Sequence, residues 1–223
     1  MKSKFKKIDT EFFKEIINSK EFNHSVNMTY VDKNPIIRWL WWKRLRMMLS
    51  LSKIDNSKKV LDFGCGEGVF LPSLSLNYKE VHAVDLYVKI AKIVKDHYKL
   101  ENVKIFSDDI FKTNLKDNYY DIIFSASVLE HFSDVDYVLK VLRNKLKDNG
   151  LLIFSSPTEN YIYKIGRIVT GYNKYQDPED IHYFGAKEIA QKGKKYFDLI
   201  GRYDIPFNLR ISPLHSIYLL KKI

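Results

Sequence analysis

The sequence predicts an α/β protein built on a mostly parallel sheet, preceded by a helical extension. From Lys58 onward, short apolar runs alternate with amphipathic stretches, as successive βαβ units require. A glycine-rich turn, Gly64 to Gly68, joins the first apolar run to the helix that follows it. Residues 1–57 differ: their main feature is the apolar and aromatic stretch Pro35 to Leu51, too rich in charge to cross a membrane.

That stretch carries Trp39, Trp41 and Trp42 together with Arg38, Lys43, Arg44 and Arg46. At helical period the four cations do not gather on one face. A helix packed on the main domain with its long cationic stems turned outward is therefore expected, and contact of its tryptophans with a membrane surface is the alternative. Residues 1–57 are assigned as a helical cap or lid, and 58–223 as one ligand-binding domain with an insertion at 157–183.

Lys59 to Phe63 reads as the first strand, Gly64 to Gly68 as a turn, and Val69 to Leu76 as a helix with Pro72 in its first turn. Val81 to Asp85 is the second strand. Ile90, Ile93, Val94 and His97 then put an inward stripe on a helix whose lysines face water. Val103 to Phe106 and Asp121 to Ala126 are the third and fourth strands. A helix capped by Ser133 or Asp134 buries Val135, Val138, Leu139, Leu142 and Leu146 until Gly150 stops it. Leu151 to Ser155 is the fifth strand, Ala186 to Phe197 a late helix, and Ile200 to Phe207 with Ser216 to Leu220 supply two closing strands.

The 37 basic residues exceed the 27 acidic ones, and the formal charge of +10 would attract nucleic acid, anionic lipid or a phosphorylated substrate. Lys89, Lys92, Lys95 and Lys99 nevertheless read first as a solvated helix face. With Cys65 as the only cysteine, an internal disulfide and a cysteine-rich zinc site are both excluded. The basic start Met1 to Lys7 leads into Asp9, Glu11, Lys14 and Glu15 rather than an apolar core, so a cytoplasmic protein is expected, with peripheral membrane contact as a variant.

The run Val60-Leu61-Asp62-Phe63-Gly64-Cys65-Gly66-Glu67-Gly68 carries most of the chemistry. Glycines without a Cβ let the backbone approach a nucleotide-like ligand and aim free amides at it. Val69 stands where a dinucleotide-binding turn has its third glycine, which disfavours a nicotinamide enzyme. Asp85, at the end of the second strand, is placed to accept both hydroxyls of a ribose, although a helix cap is an equal reading.

In this order the residues resemble the class I S-adenosylmethionine-dependent methyltransferases, small-molecule branch, over Lys58 to about Phe207. The resemblance implies a Rossmann-like, seven-stranded, mostly parallel sheet with helices on both faces and one antiparallel strand. It implies S-adenosyl-L-methionine as cofactor, with Asp62, Gly64, Cys65 and Gly66 around its methionine part and Asp85 with Leu86 at its ribose. Ser107-Asp108-Asp109-Ile110 resembles the adenine-reading loop, the spacing back from Asp121 favouring Asp109 and Ile110 over Asp108. Tyr119 to His131 resembles the fourth motif, whose turn, at Ser127, lines the cofactor pocket, and Leu146 to Pro157 resembles the fifth.

Methyl transfer of this kind needs an aligned acceptor and, for a hydroxyl, removal of its proton. Two histidines are candidate bases: His182, before the late helix, and His131, at the end of Leu129-Glu130-His131. For each, a structural imidazole is as good a reading. His24, His82, His97 and His215 form no ligand pair, and Asp177 to Asp180 lacks metal-loop spacing, so no metal is expected. The expected partner is a small-molecule acceptor, a hydroxyl on a sugar, lipid or quinone-like compound. RNA is less favoured, because Ser125-Ala126-Ser127-Val128 replaces the run that base-amine methylation uses. A non-catalytic cofactor-binding protein is the remaining alternative.

Overall fold

β1, Lys59–Phe63, is buried from Val60 on, Asp62 included, as a strand covered on both sides must be. The computed structural model describes residues 3–18, 28–109, 112, 115–158, 160, 181–208 and 213–223. They fall into two units, Met1–Leu115 and Lys116–Ile223.

In the first unit, β1 pairs in parallel with β2, Glu80–Asp85, which pairs in parallel with β3, Val103–Ser107. The amphipathic helix α1, Thr10–Asn18, and α2, Pro35–Leu51, precede them; α3, Leu71–Ser75, and α4, Lys89–His97, make the crossovers. Asn34 caps α2, its side chain accepting from the Ile36 amide at 2.9 Å. α4 buries Ile90, Ala91 and Val94. His97 does not join that stripe: it lies exposed and stacks on Phe12 of α1, ring centroids 3.6 Å apart. The chain before α1 is laced to α3, to the turn after it and to the end of α4. Lys4 and Lys6 amides donate to Asn77 and Ser73, and the Asp9 amide to the Tyr98 hydroxyl.

In the second unit, β4, Tyr120–Ala126, leads through a short 3-10 turn, Leu129–His131, into α5, Val135–Lys145. β5, Leu146–Pro157, runs parallel to β4. α6, Ala186–Gly193, precedes β6, Phe197–Ile205, and β7, His215–Lys222, is antiparallel to both β5 and β6. The seven strands form one sheet in the order β3-β2-β1-β4-β5-β7-β6. This is the mostly parallel sheet with one antiparallel strand that the family resemblance implied.

Two helix ends differ from expectation. α5 stops at Lys145 because Leu146 pairs with Tyr120 in the sheet rather than extending the helical stripe. Gly150 lies within β5 instead, where a Cβ would sit 2.8 Å from the Lys147 carbonyl oxygen. Likewise α6 ends at Gly193, and Phe197 opens β6.

Candidate active site

At the carboxyl ends of β1 and β2 the glycine turn is bound to its neighbour strand. The amides of Gly64 and Cys65 both donate to the Val84 carbonyl, at 2.9 and 3.2 Å. Asp85 fastens the other side: one carboxylate oxygen accepts from the Gly66 amide at 2.8 Å, the other from the Tyr87 amide at 3.1 Å. It therefore serves as turn anchor and helix-entry cap together, and its remaining lone pairs are available to a ligand. Gly66 has φ +49° and a Cβ there would meet nothing within 4 Å, so open space lies over the turn. Gly68, at φ +76°, is different: a Cβ would come within 2.9 Å of the Ala91 backbone.

Asp62 lies under this turn, almost wholly buried, with one carboxylate oxygen lacking any hydrogen-bond partner. Burial, and next the charge of Asp85, push its pKa up to about 7. Burial likewise pushes the Cys65 thiol far up, which makes it an inert packing group. Leu86 and Tyr87 project into solvent beside Asp85. The Asp108 amide donates to the Asp85 carbonyl at 3.2 Å, and the Asp108 carboxylate accepts from the Asp109 amide at 2.8 Å. Ile110 lies outside the described residues, as does 161–180 of the insertion.

The sequence reading missed a buried pair beside this turn. Arg44, expected to point outward, is 2% exposed; it donates to the Tyr30 hydroxyl at 2.9 Å and stacks 4.1 Å over the Trp41 ring. The Trp42 indole donates to the Tyr30 carbonyl. Burial pushes the Tyr30 hydroxyl up, Arg44 opposes that, and Glu67 and Asp62 add to it, so these three charges lie within electrostatic reach of Tyr30. Nothing local in the sequence separates Arg44 from Arg38 or Arg46.

In the second unit Ser127 follows β4 at φ +59°, its amide donating to the Ser155 carbonyl at 2.8 Å. Such a conformation in a non-glycine residue is a constraint worth about 1–3 kcal/mol. Two residues on, the 3-10 turn meets the segment entering α6. The Tyr183 amide donates to the Glu130 carbonyl at 2.8 Å, and His131 Nδ1 lies 3.2 Å from the Ile181 carbonyl. A carbonyl oxygen only accepts, so Nδ1 carries the proton there. His131 and His182 thereby stand edge to face, ring centroids 5.0 Å apart. A carboxylate oxygen of Glu130 and one nitrogen of each imidazole lie within 4.8 Å of one another.

A methyltransferase domain family model matches residues 41–196. The mitochondrial ubiquinone biosynthesis O-methyltransferase of Schizosaccharomyces pombe is 25% identical over 66% of this chain, and malonyl-[acyl-carrier protein] O-methyltransferase of Bacillus anthracis 28% identical over 46%. The chain spans 61% and 38% of the lengths of these two relatives. Among solved structures, the N-methyltransferase NodS of Bradyrhizobium japonicum, in complex with S-adenosyl-L-homocysteine, superposes with a TM-score of 0.64 at 17% identity, covering 95% of this chain and 96% of that one.

Proposed function

Because the chain belongs to the methyltransferase domain family, whose model spans residues 41–196, we propose that it transfers a methyl group from S-adenosyl-L-methionine to an oxygen of a small-molecule acceptor. The observation that carries this reading is the pairing of an open glycine turn with two carboxylates, Asp62 and Asp85, at the ends of β1 and β2. The residues present fit that cofactor: the free oxygen of Asp62 suits a buried cation, the space over Gly66 admits a chain, and the lone pairs left on Asp85 suit a ribose diol. When bound, the cofactor supplies an electrophilic methyl group.

The protein's own part is to hold and to orient. Asp62 takes the amino end of the cofactor, Arg44 its carboxylate, and Asp85 with Leu86 the ribose. Asp108 or Asp109, with Ile110, reads the adenine, and Ser127 completes the cofactor contacts. His182 takes the acceptor's proton and His131 shapes the pocket. An oxygen acceptor is favoured because both curated relatives are named O-methyltransferases. Quinone precursors and carboxylates are thus the first acceptors to try.

Calorimetry with S-adenosylmethionine and S-adenosylhomocysteine, followed by a methyl-transfer screen over diphenols, sugars, lipids and carboxylates, tests the proposal. Binding of neither cofactor form would sink it, and binding without transfer to any acceptor would favour a non-catalytic partner protein.

A second reading, contact with an anionic membrane surface, is supported by one face of α2. Ile36 and Trp39 are 65% and 47% exposed, Lys43 sits 4.5 Å over the Trp39 ring, Arg46 is exposed, and the helix contains no acidic residue. Among the described residues no helix is long and apolar enough to cross a membrane.

A further inference from the structure

Glu130 is a buried carboxyl of the second unit to which the reading above gives no role. Its side chain is fully buried, and neither carboxylate oxygen completes a hydrogen bond of normal geometry. Burial strongly disfavours a carboxylate so placed, and a buried polar group without a partner calls for an explanation. The backbone on both sides is fixed: Tyr183 donates to the Glu130 carbonyl, and His131 engages Ile181. The carboxylate is consequently held beside two imidazoles, with donor atoms of Glu130, His131 and His182 inside 4.8 Å.

The surroundings show what the carboxylate answers to. Burial raises its pKa; the charge of His131, the Ser156 hydroxyl on β5 and the charge of His182 oppose that rise. α5 and α6 also pack against this turn and add no charge to those acting on Glu130. A carboxylate that water cannot reach is stabilised when an imidazole next to it becomes positive, and the converse holds equally.

We propose that Glu130 is a positioning residue whose carboxylate, within 4.8 Å of a His182 ring nitrogen, holds that imidazole by charge and stabilises the imidazolium formed when His182 takes the acceptor's proton. This rests on the methyl-transfer reading above. In the step, the acceptor O–H bond breaks with its proton going to the unprotonated ring nitrogen of His182. The oxygen's electron pair forms the new bond to the methyl carbon, the carbon–sulfur bond breaks, and its electron pair stays on sulfur as a neutral thioether. The imidazolium, paired with the Glu130 carboxylate, then returns its proton to solvent. Glu130 never touches the acceptor, so its effect passes entirely through His182.

Glu130→Gln keeps size and removes charge. The variant should bind S-adenosylhomocysteine like wild type, keep the acceptor KM, and lose about tenfold to a hundredfold in kcat. Without the anion the imidazolium is less stable, so the acidic limb of the kcat profile should move to lower pH, and Glu130→Asp should restore part of both. In a His182→Ala background, Glu130→Gln should lower kcat no further. Unchanged kcat and pH limb, or losses that multiply in the double variant, would overturn the proposal. So would activity removed by a chelator and regained with zinc or magnesium, since the three donors would then be holding a cation.

Nuclear magnetic resonance keeps the test independent of turnover. The His182 titration should move to lower pH in Glu130→Gln, and the Glu130 carboxyl titration to higher pH in His182→Gln. If no acceptor is methylated but both shifts occur, the pairing stands and only the methyl-transfer reading fails; if either titration is unmoved in a folded variant, the pairing is overturned. Should Glu130→Gln fail to fold, His182→Gln alone decides the matter.

Discussion

Asp85 carries two loads, because the carboxylate that is assigned to the ribose also receives the amides of Gly66 and Tyr87. Asp85→Ala should weaken S-adenosylmethionine binding roughly tenfold to a hundredfold in calorimetry, as loss of two or more hydrogen bonds of about 0.5–1.5 kcal/mol implies. Asp62 makes a pH-dependent prediction. Its pKa rises from 3.8 to about 7 on folding, so the folded state holds the proton more tightly than the unfolded one. The stability it contributes is fully present below about pH 3.8 and lost as pH climbs through about 7. Asp62→Asn keeps its side chain neutral throughout, so in thermal melts the Tm of the variant relative to wild type should rise between pH 4 and 8. His182→Ala should lower kcat by roughly a hundredfold to ten-thousandfold while leaving cofactor affinity unchanged; near-normal turnover would remove it from the mechanism. Glycines and strand-end acids were legible in the sequence because the need they answer is local. Arg44 and Glu130 were not, since a cation or acid in a helical pattern reads the same whether tertiary packing buries it or water covers it.

Gly68 shows the same contrast between turn and helix. Its φ of +76° and the 2.9 Å approach to Ala91 make it the point where turn and α4 touch. Gly68→Ala should cost about 1–3 kcal/mol in urea unfolding, from strain and overpacking together. At α2, replacing Ile36 and Trp39 by serine should abolish flotation with vesicles of anionic lipid, which high salt should also release; flotation unchanged by the pair would exclude this face as the contact. The strands were legible as apolar runs, and their cores match the expected spans. The ends of α5 and α6 were not, because Leu146 and Phe197 continue a helical apolar spacing that only pairing in the sheet overrides.

For the molecule as a whole, the surplus of cations sets how it meets anionic surroundings without choosing the acceptor. The alternation of apolar runs gave the fold class, since it is a property of the entire chain, whereas the donors of the second unit come from segments far apart in sequence. β7 has the longest reach of these. It lies between β5 and β6, pairing Leu152 with Leu220 and Tyr203 with Ile217, although it follows both in the chain. A ribosome delivers β5 and β6 with the place between them still vacant, so β6 has no partner, and β5 only β4, until His215–Lys222 has left the exit tunnel. Nascent chains arrested before His215 should be cut by protease within β6, and chains that carry Lys222 clear of the tunnel should resist. Folding of residues 116–223 is thereby tied to delivery of β7, and the open edge of β5, Leu151 to Phe154, would need a chaperone's cover in the interval.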